Sequence, residues 1–368
     1  MNKYYYFLII FILNLNSYMY RIFSNHPNMK TSLDTLNNIK KINILFLLIF
    51  ISMLFFSKNK ILKSDIKVII ILILFSIFLK NFYLSFLVIV ISNYVNKKFR
   101  LKSVLLILVS FYILVLIFHI FGYLEFNNIS SGIRKFENFE VYRRTLGFNN
   151  PNAAMALLLP IFSLIYYLYY QNYKKIILSI ILSVGSIIFS LTFSRTTFLL
   201  LILFVVLILL KDKYIKKLKF LFLTGIFFIV FFTLYLPFYF RHSILNKLLS
   251  SRLSWFYHYL VNYSVTLFGD VTIREYYKRQ YLDNIYLKTL FENGIIGLIL
   301  LISLIFIIMY ILFKNEDYKA VRIFSIILIF GFMESSAFFH YFNIIYFIIP
   351  DYIFKIKKER DENANKLY

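Results

Sequence analysis

The sequence contains no cysteine, one tryptophan and five histidines in 368 residues. Without cysteine it can form no disulfide, thiolate metal site or haem attachment, and the scattered histidines lack the clustered spacing of a cation site. Acidic residues are scarce as well, 17 against 41 Lys and Arg, for a formal net charge of +24. Such an excess can mark a nucleic-acid binder, but here the cations are dispersed in short loops between apolar runs, so the charge reads as membrane topology. The sequence shows no internal repeat of solenoid period and no inverted duplication of the kind many transporters carry. Its N-terminal apolar run has no small-residue cleavage site and reads as an anchor rather than a removed signal peptide.

What the chain does have is hydrocarbon. Sixty-one per cent of its residues are hydrophobic, against roughly 45–50% in soluble domains. Runs near 4–20, 42–57, 66–80, 82–96, 103–121, 150–170, 175–193, 197–210, 219–238, 284–312, 321–334 and 338–354 predict an all-α polytopic membrane protein, a single domain over 1–368 with about twelve (11–12) spans of about 20 residues each. Clusters such as "NKKFRLK", "KDKYIKKLK", "KNEDYKAVR" and "KIKKER" follow alternate spans, which places them and both termini in the cytoplasm. The loop at 21–41 dissents, because it falls outside yet carries Arg21, Lys30, Lys40 and Lys41. With Asn14 and Asn16 in its core, 4–20 also fits a surface helix. Extracytoplasmic loops then lie at about 122–149 and 239–283, with a tight turn at 194–196 and a short connection at 334–340.

Polar chemistry concentrates in those four segments. In "YRRTLGFNNPNAAMALLLP", Asn149 or Asn150 is a suitable N-cap and Pro151 suits the first helical turn. Arg143 and Arg144 just ahead of that helix start would suit a phosphate or pyrophosphate, or could snorkel to lipid headgroups. Arg195 sits at the turn of an apolar hairpin, where facing lipid at depth would be expensive. Arg252 and Trp255 lead an aromatic loop that also holds His258; aromatic faces beside polar donors suit a sugar, while an interfacial aromatic belt uses the same residues.

In "YLDNIYLKTLFENGIIGL", Asp283, Leu287, Leu290, Gly294 and Gly297 share one helical face. This is a seam on which glycines admit a neighbouring helix, with Asp283 at its top either as an N-cap or as a group at the mouth of the bundle. Glu292 is about half a turn round and about 12 Å deeper, so it needs another helix, water or a neutral form. Glu334 and His340 fall at the end of the last hairpin, where they pair structurally or assist proton transfer.

The order "RRTLGFNNPN", "TFSRTTF", "SSRLSWFYHYL" with "LFGD", then "DNIYLKTLFENGIIGL" and a Met-Glu pair before the last span resembles the Wzy-type O-antigen and capsular polysaccharide polymerases, of the O-antigen ligase superfamily, over about residues 120–350. Asp283, Asn284, Leu287 and Gly294 reproduce the spacing of the ligases' late motif, with Asp283 where they carry histidine; that departure favours the polymerase branch. The resemblance implies a GT-C-like bundle in the bacterial cytoplasmic membrane. It further implies a metal-independent, inverting glycosyltransferase without cofactor, which moves a glycan from undecaprenyl diphosphate onto the next lipid-linked repeat unit. It assigns Arg143, Arg144, Arg195 and Arg252 to the diphosphate; Asn150, Trp255, His258 and Asn284 are the candidate glycan contacts, and Asp283, then Glu334, the candidate acid–base groups. Membrane lipids, a chain-length regulator and a flippase are the implied partners, and nucleic acid is not. A ligase-type transferase and a flippase for the same lipid-linked sugars are the alternatives.

Overall fold

The computed structural model describes residues 3–23, 63–79, 82–124, 133–135, 140–270 and 282–354. The expected span at 42–57 and the dissenting loop at 21–41 lie outside them. The chain falls into two compact units, Met1–Leu62 with Ile91–Phe198 and Lys63–Val90 with Leu199–Tyr368. The protein is mostly helical, and among the described residues five helices are long and apolar enough to cross a membrane, by length and composition: Lys97–Ile120, Pro151–Tyr169, Lys174–Thr192, Lys219–Phe240 and Ile285–Lys314. It is a membrane protein. Shorter apolar helices stand at Lys3–Leu15, Lys67–Phe78, Tyr83–Ser92 and Arg195–Leu209. The described strands are one two-stranded antiparallel ribbon, Ile133–Lys135 with Glu140–Tyr142.

In the first unit, helix α1 (Lys3–Phe23) lays Tyr6, Ile10 and Leu13 against helix α2 (Lys97–Ile120), where Phe11 meets Phe111 at 5.1 Å. Helix α3 (Pro151–Tyr169) follows, tied to α2 by the Tyr112 hydroxyl donating to the Ala154 carbonyl at 3.0 Å. Pro160 has no N–H to offer the Ala156 carbonyl, and the helix is irregular at Leu157. Helix α4 (Lys174–Thr192) packs beside α3 and ends at Phe193, whose φ of 47° is left-handed. Arg100 is wholly buried and donates to the carbonyls of Ser92 and Val95. A residue of the basic "NKKFRLK" cluster thus also satisfies carbonyls that a helix end leaves without partners.

The second unit is built on three helices, α5 (Lys219–Phe240), α6 (Ile285–Lys314) and α7 (Tyr318–Met333), packed pairwise. Gly331 lets the start of α6 come close, with Ile285 and Tyr286 on it, and the Tyr286 hydroxyl donates to the Leu328 carbonyl at 2.7 Å. At the lysine-rich end, buried Arg322 donates to the carbonyls of Leu207 and Leu210 and to Asp212 (2.8, 2.6 and 2.6 Å). This closes the C-terminus of helix Arg195–Leu209 much as Arg100 closes its own neighbour. Nearby, Lys216 holds the Glu316 carboxyl below its ordinary range by a hydrogen bond and by charge, but both are solvated and such pairs add little.

Two sequence expectations change here. The run at 338–354 does not form a regular helix: turns lead to a 3-10 segment, Ile344–Phe347, and a single turn, Pro350–Ile353. Pro350 cannot donate to a preceding turn, and the Asn343 side chain takes the Ile345 amide at 3.1 Å. Irregular backbone is tolerated at such a place because it is buried in protein; every residue from 340 to 350 is buried, and Ser85 donates to the Phe338 carbonyl. Second, α6 is not continuous. Gly294, with φ 72° and ψ −171°, breaks it, so the seam expected from Asp283 to Gly297 stops at a residue that interrupts the helix.

Candidate functional site

Each unit gathers part of the polar set. In the first, the chain leaves the ribbon at Tyr142 and lies against the end of α4: the Arg144 amide donates to the Leu191 carbonyl at 2.8 Å, and Arg143 Nε to the Thr192 carbonyl at 2.9 Å. A second Arg143 nitrogen reaches Asn152 Oδ1 at 2.7 Å in the first turn of α3. Arg143 therefore clamps the start of α3 to the end of α4, three residues before Arg195, and the Arg144 side chain remains exposed. Leu146 and Gly147, both at positive φ, turn the chain over α2, where a Gly147 Cβ would press on Val115 and His119. Asn150 caps α3, its Oδ1 accepting from the Ala153 amide at 2.8 Å. Arg195 opens the next helix half-buried, with Ser194, Thr196 and Thr197 buried around it. Arg143, Asn150 and Arg195 thus share one end of this unit.

In the second unit, the segment after α5 folds on Asn246. Its side chain donates to the Arg241 carbonyl and to Ser254 Oγ, and accepts from the Leu253 amide at 3.0 Å. Ser250 and Ser251, at φ 59° and 64°, complete the turn into the helix Arg252–Asn262. Leu253, Phe256 and Tyr259 form its buried face, and Tyr259 stands 6.1 Å from Phe291 of α6. Burial pushes the Tyr259 hydroxyl up to about 12. Trp255 is exposed, and His258 lies within 2.9 Å of the Asn262 amide. The guanidinium of Arg241 sits 3.7 Å over the Tyr257 ring.

This scaffold brings Arg252 to Asp283. They pair at 3.5 Å, the arginine side chain 11% and the aspartate 38% accessible, and Arg252 Nε is buried without a hydrogen-bond partner. Asn284 is fully buried: its Oδ1 caps α6 by accepting from the Tyr286 and Leu287 amides, and its Nδ2 donates to the Phe332 carbonyl at 3.0 Å. That last bond fixes the top of α6 to the end of α7, two residues before Glu334. Glu334 accepts from Ser336 Oγ at 2.7 Å, and His340 is buried beyond it. Asn284 holds the positions of Asp283 and Glu334 rather than presenting its own polar atoms.

The motifs "LFGD" and "FENG" interlock. The Ile295 and Ile296 amides donate to the Thr266 and Leu267 carbonyls at 3.0 and 3.2 Å, and the Asp270 amide donates to the Phe291 carbonyl at 2.9 Å. Loop backbone thereby satisfies groups that the helix break would otherwise strand. A Cβ on Gly269 would collide with the backbone of Glu292 and Asn293, and one on Gly294 with Leu267. Glu292 is buried at this break. Helical periodicity treats Gly294 as a packing glycine and so misses it; the Asn293–Gly294 dipeptide, a turn signal, was the available clue. Asn246 had no comparable signature.

Among the described residues no group of three or more His, Asp or Glu could hold a metal ion. No family model, curated protein or solved structure matches the chain.

Proposed function

We propose that the protein is a polysaccharide polymerase of the bacterial cytoplasmic membrane. It would join lipid-diphosphate-linked oligosaccharide repeat units at the outer face, within a GT-C-like bundle of about twelve spans whose termini are cytoplasmic. The observation that carries this reading is the Arg252–Asp283 pair. Glycosyl transfer from a diphosphate needs a cation where charge collects on the leaving oxygen and a carboxylate in reach of the acceptor hydroxyl, and here one of each stands side by side at the start of an aromatic helix. The acceptor oxygen attacks the anomeric carbon and its proton passes to Asp283. The anomeric carbon–oxygen bond breaks with inversion, and its electron pair leaves on the diphosphate, held by Arg252. Glu334 is the second carboxylate. Trp255 and His258 line the glycan side, with Asn284 acting through the positions it fixes. Arg143, Arg144 and Arg195 keep an anion-binding assignment, and Asn150 keeps the helix start that Arg143 clamps.

A flippase is the reading from another class, and the Gly294 break favours it, since discontinuous helices line transporter sites. Yet the backbone of 266–270 fills that break, which leaves polymerisation the better fit. Deletion separates the two. A polymerase mutant keeps single lipid-linked repeat units at the outer face and loses long chains, whereas accumulation confined to the inner leaflet identifies a flippase.

A further inference from the structure

Two rulers in the second unit place the membrane boundary. The part of α6 beyond its break, Ile295 to Lys314, is 20 residues, which at 1.5 Å each is about 30 Å, the thickness of the hydrocarbon core. Helix α5 runs beside it, and Phe222 meets Phe313 at 6.0 Å near the lysine-rich end. Eighteen residues on from Phe222, α5 ends at Phe240, and eighteen residues back from Phe313 is Ile295. Both helices therefore reach the far boundary at one level, that of the Gly294 break. Glu292 and Asn293 stand just beyond the hydrocarbon, where a carboxylate is affordable.

The loop that fills the break sits at this level too, because its carbonyls bond the amides of Ile295 and Ile296. Its backbone is fixed there by three hydrogen bonds and by the Gly269–Gly294 contact. Val265, Leu267 and Phe268 are 41%, 59% and 69% exposed, next to exposed Ile295, whose amide bonds the Thr266 carbonyl. Aqueous exposure of such a cluster would be costly, whereas an interface accepts aromatic and aliphatic side chains that enter it from the plane of the headgroups.

We propose that residues 264–268 form a lipid-inserting edge. Val265, Leu267 and Phe268 enter the acyl chains just below the headgroups, in the leaflet opposite the lysine-rich end. The segment 241–270 then lies along the membrane surface rather than projecting into water, whatever chemistry it serves.

The absence of cysteine makes the test clean: in Phe268→Cys an NBD label reports this position alone. In vesicles of phosphatidylethanolamine and phosphatidylglycerol, its emission shifts to the blue, is quenched by a nitroxide high on the acyl chain, and resists aqueous cobalt. Leu267→Cys gives the same result, and serves if the first variant does not accumulate. Water-like emission with cobalt quenching overturns the proposal. So does protection from both quenchers, which means that a second copy or another protein surface covers the edge.

Discussion

Gly294→Ala should release the loop from the helix break and cost about 3 to 5 kcal/mol of local stability, the sum of forcing a side chain into a glycine-only conformation and losing the docked hydrogen bonds. At φ 72° and ψ −171° an alanine is strained whatever the space, and its Cβ would also strike the Leu267 backbone. The Ile295 and Ile296 amides bond the Thr266 and Leu267 carbonyls, so a shift of either element breaks those hydrogen bonds. The check is limited proteolysis of the purified protein alongside its melting temperature. Cleavage within 264–270 should accelerate sharply and the melting temperature fall. Gly225→Ala is the internal control: it sits within α5, and a Cβ there meets nothing within 4 Å, so it should leave both readings unchanged or slightly improved. Equal behaviour of the two variants contradicts the interlock.

The second large effect separates chemistry from structure at the ion pair. Asp283→Asn leaves Arg252, only 11% accessible, without its countercharge, so some stability is lost. Removing one partner of a buried pair costs about 3–5 kcal/mol, and the 38% exposure of Asp283 brings this case below that range. Replacing both groups, Arg252→Met with Asp283→Asn, removes the stranded charge and should return the protein to near wild-type levels and melting temperature. Glycan elongation should not return, since a positioned acid–base group contributes about 10²–10⁴-fold and the leaving diphosphate has lost its cation. Were the pair only a structural tie, the double variant would recover elongation along with stability.

Membrane class and most helices could be read from the sequence, because long apolar runs such as 103–121 and 219–238 admit little else once the solvent is lipid. Local chemistry was legible where a residue's role is set by its neighbours in the chain: Asn150 ahead of Pro151 caps a helix as expected. It was illegible where the partner is distant. Arg100 and Arg322 read as topology signals, and only the fold shows them closing the carbonyl ends of other helices. The run at 338–354 has a span's composition, but composition does not show that surrounding protein can support irregular backbone. Helical periodicity puts Glu292 deep in a straight span, whereas the Gly294 break leaves it buried at an interruption that loop backbone fills.

The polymerase reading meets its most direct test in liposomes that hold the purified protein and a single lipid-diphosphate-linked repeat unit as both donor and acceptor. The measurement is the size distribution of the lipid-linked glycans. A polymerase yields a ladder of one-unit steps, with one undecaprenyl diphosphate released per step and no requirement for added metal, absent with the Arg252→Met, Asp283→Asn protein. Transbilayer movement of the unit without any ladder, from protein of native melting temperature, would contradict it.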